Sequence, residues 1–111
     1  MFSSDRKVST TSFNNLVASF FKLAEARMSD TQKTVLKLSH QLLKFNDLTV
    51  TALADLVSRR SNVPYSTTKW NLRSLKEMGL LTGGNLHRKG EHASLTREAR
   101  MLADHFEKEQ H

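Results

Sequence analysis

The sequence contains no cysteine. That removes disulfide frameworks and thiolate metal sites, and it fits an intracellular protein. Proline occurs once, as Pro64, and the four glycines all fall between Gly79 and Gly90, so the strongest chain punctuation lies in one segment. No apolar run approaches the ~20 residues of a membrane span. The N-terminal MFSSDRKVSTTS lacks the apolar run of a signal peptide. There is no GxSxG, no phosphate-binding glycine loop and no HExxH. Gly83-Gly84 lies between two predicted strands, where a turn is its simplest use. The five histidines are spread over separate elements, and His87 and His92 have only Glu91 as a nearby carboxylate. No metal site, cofactor or small-molecule ligand is therefore expected, and no enzyme activity.

What is present is a 111-residue chain with 38% hydrophobic and 25% charged residues, enough for one small core. The net charge is +6, and its placement says more than its size. From Leu56 to Gly90 the basic residues Arg59, Arg60, Lys69, Arg73, Lys76, Arg88 and Lys89 face a single acid, Glu77. The remainder holds ten basic and ten acidic residues, so the whole excess sits in one third of the chain. Such a patch is the footprint of a polyanion partner, although a merely solvated basic surface has the same composition.

Residues 1–11 are polar and are expected to form a flexible N-terminus. From Ser12 a helical pattern begins, and Phe13, Leu16, Val17, Phe20, Ala24 and Met28 recur on one face of a helix over 12–28. Phe21 and Leu23 lie outside that stripe. Either the helix is sunk deep in one core or it packs on its own domain with one face and on a second subunit with another. Ser29 and Gln32 have capping-box spacing, and the helix they open carries Val35, Leu38, Leu42 and Phe45 as its main stripe. Leu48-Thr49-Val50 alternates as a very short strand would. Thr51 is the expected cap of the next helix, which runs to Ser61-Asn62 with Leu53, Leu56 and Val57 inward.

Val63 then plugs a tight turn, and VPYSTTKWNLRSLKEMGLL opens a helix over about 64–78. Pro64 suits its first turn, Gly79 suits its left-handed end, and Leu72, Leu75 and Met78 mark its buried edge. Its outer faces carry Tyr65, Lys69, Trp70, Arg73 and Lys76. A helix with a thin apolar edge and a basic, aromatic outer face suits the major groove of DNA, which admits an α-helix. Leu80-Leu81-Thr82 and Glu91–Leu95 form a hairpin around the tip 83–90. Thr96 caps a last helix over 96–110, with Ala99, Leu102, Ala103 and Phe106 inward and Glu98 in its first turn.

The order of helix, short strand, helix, turn, helix, hairpin and helix, together with VPYSTTKWNLRSLKEMGLL and SLTREAR, resembles the winged helix-turn-helix of bacterial and archaeal transcription regulators. The positions that carry the resemblance are Val63, Ser66, Thr67, Leu72, Leu75, Met78, Gly79, Leu80 and Leu95-Thr96. It covers roughly Thr31 to Phe106. Two residues depart from the pattern. Thr68 stands where an aliphatic is usual, and its hydroxyl needs a carbonyl one turn back if it is buried. Trp70 stands at an outward position that is more often polar.

The resemblance implies a mainly α fold with a small β-hairpin (α+β), a single domain over 12–110 made of an added helix (12–28), a helix-turn-helix plus wing (30–95) and a C-terminal helix (96–110). It implies double-stranded DNA as partner. Tyr65, Ser66, Thr67, Lys69, Trp70 and Arg73 then face the major groove, while His87, Arg88 and Lys89 form the tip of the wing at the flanking backbone or minor groove. Arg59 and Arg60 either touch phosphates or only complement a helix C-terminus. Trp70 faces DNA, core or a protein partner. A homodimer through helices 12–28 and 96–108 is expected, because one module gives a modest footprint. The expected role is a cytoplasmic, sequence-specific transcription regulator, nucleoid-associated if prokaryotic. Its rivals are a protein-interaction module of the same fold and a nonspecific nucleic-acid-binding protein.

Overall fold

A computed structural model describes residues 2–84 and 91–109 of the chain. Among these described residues, five helices and a two-stranded antiparallel sheet follow one another as α1 (Phe2–Arg27), α2 (Asp30–Leu43), α3 (Val50–Ser61), α4 (Tyr65–Glu77), β1 (Leu81–Thr82), β2 (Ser94–Leu95) and α5 (Arg97–Glu109). This is a mainly helical winged helix-turn-helix with an added N-terminal helix and a C-terminal helix. Among the described residues no helix is long and apolar enough to cross a membrane.

The core forms where α2, α3, α4 and α5 meet above the sheet. Val35 and Leu36 of α2, Leu53 and Val57 of α3, Leu72 and Leu75 of α4, Leu81 of β1 and Leu102 of α5 are all essentially inaccessible to solvent. Each such side chain contributes about 1.5–3 kcal/mol by leaving water, so the three- and four-residue spacings that place them on one face also supply the stability. Helix α2 starts as its sequence predicts. The Ser29 hydroxyl accepts from the Gln32 amide at 3.1 Å, and the Ser29 amide donates to the Gln32 side chain at 3.0 Å, closing the capping box. The Thr96 hydroxyl accepts from the Ala99 amide at 3.2 Å at the start of α5.

Several boundaries differ from the sequence expectation, each for a local reason. The segment 2–11, expected to be a loose terminus, continues α1, which contains no proline or glycine from Phe2 to Arg27. The cap of α3 is Thr49, not Thr51; its hydroxyl accepts from the Ala52 amide at 3.2 Å. Thr49 also pairs with His92 in an isolated bridge, and the Ala93 amide donates to the Leu48 carbonyl at 2.6 Å. The expected strand at 48–50 thus shrinks to one bridge, because α3 already begins at Val50. Phe45 falls beyond the end of α2 and is 85% exposed rather than buried. Met78 is the C-cap of α4 and 47% exposed, so the buried edge stops at Leu75. Pro64 precedes the first turn of α4 instead of lying in it.

Helix α1 joins the core near its C-terminal end. Ala24 and Met28 are buried and Phe20 and Phe21 pack against the core, whereas Phe13, Leu16 and Leu23 are exposed. Of the apolar stripe read from the sequence, Phe13 and Leu16 are therefore left exposed within this chain. The twenty-six residues of α1 span about 39 Å, about twice the length of α5. The radius of gyration, 16.0 Å, correspondingly exceeds the ~13 Å of a compact chain of this length.

Candidate nucleic-acid interface

The turn between α3 and α4 is built by polar side chains closing on Val63. Asn62 takes the left-handed conformation (φ 61°) that ends α3, which asparagine tolerates better than most residues. The Ser58 hydroxyl donates to the Val63 carbonyl at 2.6 Å, the Ser61 hydroxyl donates to the Val57 carbonyl at 2.7 Å, and the Val63 amide donates to the Ser61 hydroxyl at 3.2 Å. Thr68 is fully buried, and its hydroxyl reaches the same Val63 carbonyl at 3.5 Å. The departure from an aliphatic at this position is thereby accommodated. These bonds fix the angle at which α4 leaves α3, and hence which face of α4 meets solvent.

That outer face gathers most of the residues singled out from sequence. Tyr65, Ser66, Thr67, Lys69, Trp70 and Arg73 are all exposed, while Thr68, Asn71, Leu72 and Leu75 are buried behind them. No side chain caps the α4 N-terminus, so its first amides stay available beside the Ser66 and Thr67 hydroxyls. The Lys69 ammonium lies 5.8 Å from the Tyr65 ring centroid. The Arg73 guanidinium approaches Glu77 at 3.7 Å one turn on, with both side chains well exposed, so the pair is weak and easily exchanged. Trp70 is 63% exposed and does not enter the core.

Arg59 and Arg60 lie in the last turn of α3. Arg59 pairs with Asp55 at 3.2 Å on an exposed helix face. Arg60 opens onto a cleft lined by Thr34, Lys37, Gln41 and Glu107 of α2 and α5, not onto the α4 face. His87, Arg88 and Lys89 lie outside the described residues.

At the base of the wing, β1 and β2 pair Leu81 with Leu95 and Thr82 with Ser94. Gly83 (φ 104°) and Gly84 (φ 65°) then turn the chain. A Cβ on Gly83 would run into the His92 carbonyl, and one on Gly84 would come within 2.7 Å of the Val50 side chain, so both positions need glycine sterically as well as conformationally. Sequence reasoning left Lys76 among the outward residues. Its ammonium instead donates to the Gly83 carbonyl at 2.7 Å and ties the end of α4 to the wing. Seven residues and a turn separate the two, so no helical spacing announces the contact.

A second polar group missed in the sequence sits where α1 meets α5. The Glu25 carboxylate hydrogen-bonds His105, which also lies 3.4 Å from Glu109. The hydrogen bond from His105, and then that with Glu109, hold Glu25 below the ordinary carboxylate range. The hydrogen bond with Glu25, then loss of hydration, push Glu109 above it. One residue earlier on α5, Asp104 pairs with His40 of α2 at 3.2 Å.

No protein-family model matches the sequence, and no curated protein matches it. Solved structures do match its fold. Streptococcus pneumoniae FabT in complex with DNA is 16% identical with a TM-score of 0.57, covering 99% of this chain and 76% of its own. MepR, a transcription regulator of the Staphylococcus aureus multidrug efflux pump MepA, is 18% identical with a TM-score of 0.56, covering 99% and 80%. A MarR family protein from Bacillus stearothermophilus is 23% identical with a TM-score of 0.51, covering 96% and 76%. The likeness extends over nearly all of the chain, including α1, and the fold it establishes is the winged helix-turn-helix.

Proposed function

We propose that this chain is a non-enzymatic, sequence-specific double-stranded DNA-binding transcription regulator, with α4 in the major groove and the wing 83–90 on the flanking backbone or minor groove. The observation that carries the reading is the split character of α4. One side is sealed into the core, and the other presents Tyr65, Lys69, Trp70 and Arg73 together. Arg73 reads a guanine edge or clamps a phosphate after exchanging Glu77. Ser66, Thr67 and the uncapped amides receive a phosphate. The likeness in fold to a protein solved with DNA bound supports the same partner.

The protein acts as a homodimer through α1 and α5. Phe13, Leu16, Val17 and Phe20 line a groove with Arg97 and Met101, and the exposed large apolar side chains Phe13 and Leu16 suit contact with a second copy. Twofold pairing presents two α4 helices to half-sites one helical turn apart.

The test is selection from random duplex DNA at ~150 mM salt, followed by sequencing, because affinity depends on salt. An enriched motif with twofold symmetry is expected. Binding without enrichment replaces the specific reading with a nonspecific one. Absence of binding at that salt and at ~50 mM puts a protein partner first, a role that the exposed Trp70 also fits.

A further inference from the structure

Three metal-ligating side chains from two helices converge at the joint between α1 and α5. Glu25, His105 and Glu109 each offer a ligand atom, and these atoms all lie within 4.8 Å of one another. His105 and Glu109 are four residues apart on α5, which stacks them on one face. Glu25 arrives from α1, 80 positions away from His105 in sequence. Glu25 and His105 are half-buried and Glu109 is exposed, so the group is sheltered yet open to ions from solvent.

The spacing suits a small cation. A tetrahedral ion with bonds of about 2.0–2.1 Å holds its ligand atoms roughly 3.3–3.4 Å apart. His105 Nε2 and Glu109 Oε1 stand 3.4 Å apart, already one edge of such a polyhedron. Glu25 is drawn closer, in its hydrogen bond to Nε2, and a turn about its terminal torsion, which is soft, moves an oxygen to the second edge. The imidazole is already oriented. The Phe21 ring stacks on it with centroids 4.4 Å apart and planes 17° from parallel, and Phe106 flanks it at 5.9 Å. Two carboxylates of like charge converge on one nitrogen here, an arrangement that a cation between them relieves.

We propose that Glu25, His105 and Glu109 bind a divalent first-row transition ion, with Zn²⁺ the best match to the donors and one coordination position left to water. Imidazole nitrogen favours zinc and its neighbours over magnesium or calcium, and carboxylates complete three-ligand zinc sites with an open position. The spacing of His87 and His92 points away from any metal, whereas this set becomes visible only once α1 lies on α5. Bound there, the ion clamps the two helices together. This inference is independent of the DNA reading.

The test uses tag-free, chelator-stripped protein titrated with Zn²⁺ by calorimetry, with thermal melting in parallel and Co²⁺ absorption as a report on geometry. One ion per chain, a Kd of about 10 μM or tighter, a rise in melting temperature and a tetrahedral Co²⁺ spectrum are expected. His105→Ala and Glu25→Gln each weaken binding by more than tenfold, since loss of an outer-shell partner alone typically costs about 10–100-fold. His92→Ala leaves binding unchanged. Glu109→Gln keeps the side-chain shape, so its loss of affinity is interpretable even if His105→Ala unfolds. Absence of heat and of any melting shift overturns the proposal, as does Zn²⁺ binding that Glu25→Gln and Glu109→Gln leave intact.

Discussion

The ammonium of Lys76 donates to the carbonyl oxygen of Gly83 at 2.7 Å and joins the end of α4 to the start of the wing. The bond crosses the chain reversal at Gly79, so the two parts proposed to touch DNA are held as one body. Lys76→Met keeps the aliphatic stem and removes the donor. It is expected to cost about 1 kcal/mol of stability and to weaken DNA binding beyond the loss of one charge. Melting curves and the salt dependence of binding decide this. Unchanged melting, with a log–log salt slope lowered by only about 1 as for one lost charge, means that the tie contributes nothing to binding.

Arg73 and the wing tip are assigned different work. Arg73→Ala is expected to cost ~1–3 kcal/mol on the preferred sequence and to relax the preference at one base position. Arg88→Ala with Lys89→Ala is expected to weaken binding to all sequences and to lower the log–log salt slope by about 2. Binding isotherms on specific and scrambled duplexes at several salt concentrations separate the two patterns.

Two glycines with positive φ differ in what surrounds them. A Cβ on Gly79 meets nothing within 4 Å, while one on Gly83 meets the His92 backbone. Gly79→Ala therefore pays only for the left-handed conformation, about 1 kcal/mol. Gly83→Ala adds a steric conflict and is expected to cost clearly more, with β1 and β2 forced apart. Urea unfolding of the two variants gives the order, and a larger loss at Gly79 contradicts it.

The pair at the α1–α5 joint gives a pH signature in metal-free protein. Glu109 has its folded pKa raised, so its contribution is fully present below the unfolded pKa and is lost as pH rises through the folded one. Glu25 has its folded pKa lowered, so its contribution is present above the unfolded pKa and is lost as pH falls through the folded one. Glu109→Gln cannot ionise and should gain melting temperature relative to the parent chain as pH climbs from about 4 to 7. Glu25→Gln should lose it over the same climb. Exposure of the group keeps both effects small. Parallel melting curves at all pH values for parent and variants would falsify the coupling.

If the apolar groove between α1 and α5 is the dimer seam, a charge there breaks it. Leu16→Glu is expected to shift the protein to monomer in sedimentation equilibrium while leaving the domain folded, because Leu16 is 67% exposed in the single chain. DNA affinity then falls with the loss of the second half-site. A variant that sediments like the parent removes α1 from the interface.

Much of this architecture is visible in the sequence wherever the signal is local. Ser29 with Gln32, Asn62, Gly79 and Thr96 all act at the ends of helices they mark. Gly79 and Leu80 close a Schellman motif on Lys76 and Leu75. Where the expectation fails, a distant partner decides. Thr49 and Thr51 are equivalent caps by composition, and the bridge from Thr49 to His92 selects the first. Phe45 and Met78 continue an apolar period past the last helical turn, where the chain has already left the face. Trp70 has the composition of a core residue, yet it lies on the side of α4 opposite Leu72. The contacts of Lys76 with Gly83 and of Glu25 with His105 depend on tertiary placement, so no spacing rule finds them.

Helix α1 works as a lever. Near its C-terminal end Phe20, Phe21 and Ala24, with Met28 just past the helix, pack with the core, and the helix is twice as long as α5. From Ala24 to Phe2 the axis runs about 33 Å, so a tilt of about 5° near Ala24 displaces the backbone at Phe2 by about 3 Å by the same geometry. A change too small to disturb the packing around Leu36 and Leu102 is thus magnified along the helix. Whatever holds α1 at its root sets the position of everything at its tip.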